Sequence, residues 1–331
     1  MKIFLSISIT AAFIFCQSPQ DRNLKHASLT ASTNIVFADS NLAAKIVSTE
    51  DDFLKVVSAW DRSSSMQSST PVSRETYIEH LAKNVIEWPD SEVHKISTFS
   101  KKVGPRLEEL NLNLPKDIIM IKTTSNEIGG ARTAYTRQNA IMITAPMIEN
   151  TPDSVVYKMF IHEIAHVYSR HNKIKREELY NIFGFKQTNE IDLPQEWDDR
   201  RLSNPDAPDL NTIIDVEIEG KPTTLTPLIY SRAPVYDESK PGGIFQSFGF
   251  QLMQVEKKEN IWQPVFFDGN PVLHNPSPKT LPDFWKQIGK NTNYIMHPEE
   301  IMASNFVFLV NKKTGLPNPE ILKKMEAIVK N

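Results

Sequence analysis

Apolar positions recur at helical spacing through the first third of the chain. Phe53, Val56, Val57 and Trp60 form one stripe from Glu50 onward, and Tyr77, Ile78, Leu81, Val85 and Ile86 form a second, ended by Pro89. Ser63 to Thr70 is a Ser-rich loop between them. A third stripe runs through Val93, Ile96, Phe99, Val103, Leu107 and Leu110, with Ser91 as its N-cap and Pro105 placed to bend or interrupt it. The period then shortens. Asp117 to Lys122 is an apolar run of strand length, Gly129-Gly130 marks a turn, and Ala131 to Arg137 and Ala140 to Thr144 read as two more short strands around Gln138-Asn139. Together they predict a small antiparallel sheet just before a strong helix. That helix opens at Thr151-Pro152-Asp153, with Thr as N-cap, Pro at the first helical position and Asp at the positive end of the helix dipole. Val155, Val156, Met159, Phe160, Ile164 and Val167 give it a broad buried face.

Residues 172 to 290 are less regular and rich in proline, including Pro194, Pro205, Pro208, Pro222, Pro227 and Pro234. They read as long loops with a few strands, such as Val216 to Ile218 and Ile261 to Phe267. Two helices, Pro298 to Asn311 and Pro319 to Lys330, close the chain. The pattern predicts a helix-rich α+β fold, in which residues 49–115 are an N-terminal helical region and residues 116–331 hold the chemistry, with a loop-rich lobe inserted at about 172–290. Residues 17–48, rich in Ser, Thr, Asn and Ala, read as a flexible tether.

Composition narrows the class. The 331 residues are 40% apolar, enough for a large core, which excludes a disordered chain. The single Cys excludes an internal disulfide. The formal charge of −3 gives no basic excess that would favour nucleic acid. Met1-Lys2, an apolar run from Ile3 to Phe15 and a polar exit match a secretory signal over residues 1–16, since the run is shorter than the roughly 20 residues a spanning helix needs. The expected location is therefore outside the cytoplasm: periplasmic, cell-surface or secreted. Cys16, at the end of that run, is similar to the acylated Cys of a bacterial lipoprotein, although Phe13, Ile14 and Phe15 stand where small residues are usual. Two outcomes stay open: a lipid anchor at Cys16, the one expected link to a membrane, or ordinary cleavage that discards it. Oligomeric state is not legible.

The chemistry centres on His162-Glu163-Ile164-Ala165-His166. Two His at i and i+4 share one helix face, so both imidazoles can hold one metal ion. Glu163 is offset around the helix, where its carboxylate can reach a water on the metal and act as general base. With 8 His in the chain, such a motif arises by chance on the order of one time in a hundred. A catalytic site normally has three protein ligands. His171 is one position early for the metzincin spacing, no Gly makes the turn, and it is read as a helix C-terminal residue instead. The better candidate is Glu300, in the first turn of the helix opened by Pro298. Adjacent Glu299 is rotated by about 100° and would miss the metal. His80 and His94 read as surface or packing residues.

These residues resemble the gluzincin clan of zinc metallopeptidases, the thermolysin-like group, in which His-Glu-x-x-His on one helix is completed by a Glu on a second. The resemblance covers His162 to His166 and Glu299 to Ser304. It implies a zincin-like fold, one zinc ion on His162, His166 and Glu300, Glu163 as general base and proton shuttle, and a peptide or protein as substrate. Many members carry an Asp four residues after the Glu ligand, orienting a ligand His. Ser304 stands there in this chain and brings no charge, which implies weaker metal binding or activity. The long stretch from His166 to Glu300 implies the inserted lobe. Tyr294 is the candidate donor to a developing oxyanion, with Tyr230, Tyr236 and His274 as rivals, and the strand at Ala131 to Arg137 could bind extended substrate by strand addition. Two other readings stay open: a zinc hydrolase acting on cell-wall peptides, and a surface-binding lipoprotein with a degenerate site.

Overall fold

The protein is described by a computed structural model over residues 24–240 and 242–331. The signal segment, Cys16 and the start of the expected tether lie outside the described residues. The remainder is mixed α and β, with twelve α-helices and several sheets among the described residues. No helix among them is long and apolar enough to cross a membrane.

The first sheet contains β1 (Lys25–Ser28), β2 (Asn34–Phe37), β3 (Val85–Ile86), β4 (Asp117–Thr123), β5 (Ala134–Arg137) and β6 (Ala140–Thr144). Its order is β1-β2-β4-β6-β5, with β3 pairing β4. β2, β4 and β6 run parallel, and β5 turns back antiparallel on β6. The three parallel strands are near-continuous apolar runs because both faces of the sheet are covered. One face packs Ile35, Phe37, Ile118, Met120, Ile141 and Ile143 against α5 (Asp90–Glu109) and α7 (Asp153–His171), which follows the short α6 (Ala145–Glu149). The opposite face packs Ile121, Tyr135 and Met142 against α1 (Ser40–Ser48), α2 (Asp52–Val56) and α4 (Arg74–Lys83).

The structure departs from several expectations. The sheet is neither small nor antiparallel, because the partner of β4 is β2, upstream by some eighty residues and invisible to local pattern. Residues 25–48 are not a tether. Their Ser and Thr dilute a short apolar core, Ile35-Val36-Phe37-Ala38, which is buried in the sheet. Residues 49–115 are not a separate helical region, since α5 underlies the main core and Val85-Ile86 leaves its helix to pair with β4. The first stripe is likewise two helices, because Ser58 and Asp61 form a capping box that starts α3 (Ala59–Ser65). α5 runs unbroken through Pro105. At Gly104 a Cβ would lie 2.1 Å from the Leu29 carbonyl oxygen, so only Gly lets the helix approach the β1–β2 turn this closely. α7 begins at Asp153, and Thr151 makes no cap bond.

The expected loop-rich lobe is likewise corrected. After α8 (Lys173–Asn181), residues 185–274 build a second sheet rather than loops. It contains β7 (Phe185–Gln187), β8 (Thr212–Ile218), β9 (Lys221–Ser231), β10 (Phe248–Lys258) and β11 (Ile261–Pro264), ordered β11-β10-β9-β8-β7. Pro222 and Pro227, read as loop markers, lie inside β9. The small α9 (Gln195–Asp198) precedes it, and the hairpin β12 (Phe266–Phe267) with β13 (Asn270–Pro271) and the short β14 (Leu273–His274) follow. The chain closes with α10 (Pro282–Ile288), α11 (Pro298–Val310) and α12 (Pro319–Lys330). α11 is apolar around most of its circumference and buried against α7.

The N-terminal segment is locked to β5 by charge. Arg137 Nε donates to Asp51 Oδ2 at 2.7 Å, and its Nη1 donates to the Val47 carbonyl at 3.0 Å, with both side chains buried. Replacing Asp51 by Ala would strand a buried guanidinium and remove the α2 N-cap. Asp51→Ala is expected to lower unfolding free energy by about 3–5 kcal/mol in a urea titration; a loss below about 1 kcal/mol would contradict this account.

Candidate metal centre

His162 and His166 are one turn apart on α7, their ring centroids 4.7 Å apart. α7 is buried along nearly its whole C-terminal half, so neither imidazole can be left to solvent alone. α11 lies beside it. Its first turn is fixed by His297, whose Nδ1 accepts from Glu299 N at 3.1 Å and whose Nε2 donates to Thr212 Oγ1 at 3.3 Å. Burial pushes His297 down to about 4, so at neutral pH the ring stays uncharged and keeps the lone pair the cap needs. This cap aims Glu300 at α7. Glu300 Oε2 lies 3.0 Å from His162 Nε2 and 3.8 Å from His166 Nε2.

His162, His166 and Glu300 form a cluster that can bind a metal ion. The spacing fits. Donors held at roughly 2.0–2.1 Å around a tetrahedral ion stand about 3.3 Å from one another, and the two observed separations bracket that value. The wider one is too long for a hydrogen bond, yet suits two donors sharing an ion. His166 Nε2 is buried with no hydrogen-bond partner among the described residues, an arrangement that costs free energy unless something else binds the nitrogen.

Glu299 misses the metal position, as its helical offset requires, and takes a different task. His166 Nδ1 donates to Glu299 Oε1 at 2.9 Å. Ser169 Oγ donates to the same oxygen at 2.5 Å, and the Tyr180 hydroxyl donates to Oε2. Without a cation, burial works to lower the His166 pKa and the surrounding carboxylates outweigh it, holding it well above its ordinary value; in the neutral ring a metal would need, the Glu299 bond puts the proton on Nδ1 and leaves Nε2 free. Burial works to raise its pKa, but these donors outweigh it and the net direction is down, so it stays ionised. The charge missing at Ser304 is therefore present one position before the ligand. Ser304 itself is partly buried on α11 and makes no part of this network.

Glu163 is buried on the same helix, and Thr136 Oγ1 on β5 donates to its Oε2 at 2.8 Å. Asp206, in the loop before β8, lies with it: a carboxylate oxygen of each and a nitrogen of His166 fall within 4.8 Å of one another. Asn204 Nδ2 donates to Glu300 Oε1 at 2.6 Å. Burial pushes both Glu163 and Asp206 upward, Asp206 to about 6, and the neighbouring carboxylates push the same way. For Glu300 burial also works upward, but His166, His162 and the Asn204 amide outweigh it and hold the carboxyl down. Four carboxyl groups thus surround two imidazoles in a largely dry site, where a divalent cation would favour their ionised forms.

Every residue of the expected triad meets here, with Glu163 beside it. Tyr294 is 42% exposed, its ring centroid 6.1 Å from that of His162. The rivals do not reach the site: Tyr230 packs on Trp197, Tyr236 packs on Trp60, and His274 faces Gln254. His171 is exposed at the end of α7. Sequence reasoning missed Glu299, Tyr180, Ser169, Thr136, Asn204 and Asp206. Glu299 alone had a signal, as a second carboxylate beside the ligand. No family model, curated protein or solved structure matches the chain.

Removing the Glu299 charge should loosen the ion without unfolding α11. Glu299→Gln is expected to weaken the binding of an added divalent metal ion by about 10–100-fold, and Tyr180→Phe by less, in competition with a chromophoric chelator. Unchanged affinity in Glu299→Gln would show that His166 needs no such partner.

Proposed function

We propose that the chain is an exported metallopeptidase of gluzincin type that uses a single zinc ion. The observation that carries this reading is the convergence of His162, His166 and Glu300, with Glu163, offset on the same helix, as a nearby carboxylate outside the ligand set. Two imidazoles and one carboxylate in tetrahedral spacing suit zinc better than magnesium or calcium, which prefer all-oxygen donors. The zincin-like reading of the fold is supported by β5, an edge strand beside the motif helix, and by α11 packed against that helix. Location outside the cytoplasm rests on the residue 1–16 pattern alone.

A bound zinc ion would supply Lewis acidity toward a carbonyl and lower the pKa of a nearby water. The chain supplies the rest. Glu163, oriented by Thr136, takes the proton of the attacking water and later hands it to the leaving amine. Tyr294, whose ring is near that of His162, is the proposed donor to negative charge on the carbonyl oxygen. Glu299 keeps the His166 ring fixed throughout. The outer edge of β5 would offer backbone groups to an extended peptide once the Asp206 contact at Thr136 N is released.

Glu163→Gln tests the reading. It is expected to retain about one zinc per chain by atomic emission while hydrolysis of an unfolded protein, a quenched peptide and muropeptides falls by about 10²–10⁴-fold. His162→Ala should lose both zinc and activity. Wild-type rates in Glu163→Gln, or wild-type protein that binds no zinc, would end the proposal.

A further inference from the structure

β5 is the last strand of its sheet, yet all of its residues, Ala134 to Arg137, are buried. Its pairing decides which of its backbone groups point outward. Thr144 N donates to the Thr133 carbonyl at 3.1 Å, and Thr136 lies opposite Ile141. Alternation along an antiparallel pair then turns the N–H groups of Ala134 and Thr136 away from β6. An added strand would bond to these groups. The chain itself reaches one of them first: Thr136 N donates to Asp206 Oδ1 at 2.6 Å.

Asp206 sits in a tight turn. Ala207 N donates to the Asn204 carbonyl at 3.1 Å, closing Asn204-Pro205-Asp206-Ala207 with Pro at the second position, where its fixed φ suits a turn. Asn204 holds the turn on the metal triad: its Nδ2 donates to Glu300 Oε1 at 2.6 Å, and its Oδ1 accepts from Asp206 N at 3.1 Å. A carboxylate oxygen of Asp206 lies within 4.8 Å of one of Glu163, so the tip stands beside the proposed base. Arg170 of α7 donates to the Pro205 carbonyl. Further anchors lie outside the turn. Ser203 N donates to Asp61 Oδ2 at 2.9 Å and Ser203 Oγ to the Val56 carbonyl at 3.0 Å, and on the far side Leu210 N donates to Glu190 Oε1 at 2.9 Å. Residues 204–209 can swing out while these anchors hold.

We propose that the turn Asn204–Ala207 is a built-in competitor of the substrate. The Asp206 carboxylate occupies Thr136 N, the donor that a backbone carbonyl of an extended peptide would take, and the turn must leave before a peptide is seated beside Glu163. The inference rests on the peptidase reading above and adds a gate to it. One N–H serves two acceptors, so turn insertion and peptide binding exclude each other. The apparent affinity for peptide is then reduced by the fraction of molecules whose turn is out.

Hydrogen exchange on the zinc-loaded Glu163→Gln protein tests this, with a quenched peptide that the wild type cleaves as the probe. Adding the peptide is expected to slow exchange at Ala134 and Thr136 and to speed it across residues 204–209 by about tenfold or more. Asp206→Ala, assayed at saturating zinc, should lower KM for the same peptide by about fivefold, the worth of one hydrogen bond, with kcat little changed. Peptide that binds while residues 204–209 keep or gain protection overturns the inference and leaves the peptidase reading standing, as does an Asp206→Ala protein with wild-type or higher KM. Wild-type protein that cleaves no peptide overturns both. The exchange result needs no change in the turn, so it decides the matter even if Asp206→Ala folds poorly.

Discussion

The buried pair between His166 and Glu299 governs the site. Glu299 sits in an apolar interface between α7 and α11, where an isolated carboxylate would cost several kcal/mol. Three donors, from His166, Ser169 and Tyr180, make its charge tolerable. In return the pair fixes three things at once. It selects the tautomer that leaves His166 Nε2 free, it sets the rotation of α11 about its own axis, and it thereby delivers the adjacent Glu300 to the space between the imidazoles. A hydrogen-bonded core contact and a metal-binding geometry are here one interaction.

The rest of the molecule builds walls around that contact. The N-terminal segment holds β5 through Arg137 and Asp51, and β5 in turn holds Glu163 through Thr136. The capping box of α3 does a similar job for the lobe. Asp61 closes the box with Ser58 and also accepts from Ser203 N, so the start of one helix anchors the loop that carries Asn204 and Asp206. Segments remote in sequence therefore determine what lies over the two imidazoles.

What could be read from sequence follows from range of interaction. His162, Glu163 and His166 lie within one helix, where spacing alone fixes relative direction, and they were legible in full. Glu300 was legible because Pro298 announces the start of a helix whose first turn must contain it. The role of Glu299 was not, since its target depends on how α11 is rotated against α7, a property of packing between two helices. The sheet failed for a related reason. Asp117 to Lys122 reads as a strand, but nothing local says that its neighbour is Asn34 to Phe37, a four-residue run hidden in a Ser- and Thr-rich stretch. Proline density hid the second sheet in the same way, because Pro222 and Pro227 carry turn statistics into a strand that tertiary pairing enforces.

Asp206 had no sequence signal at all, and its placement couples two equilibria. Beside Glu163 and with only one of its oxygens paired to Thr136, it adds negative charge to a site already crowded with carboxylates. Without a cation that crowding disfavours the loop's position, and with one it is favoured. By linkage the relation runs both ways: whatever holds the loop in tightens the ion, and whatever draws the loop out loosens it by the same factor. An extended peptide competing for the Thr136 N–H would draw the loop out, take the Asp206 charge away from His166 and so loosen the ion.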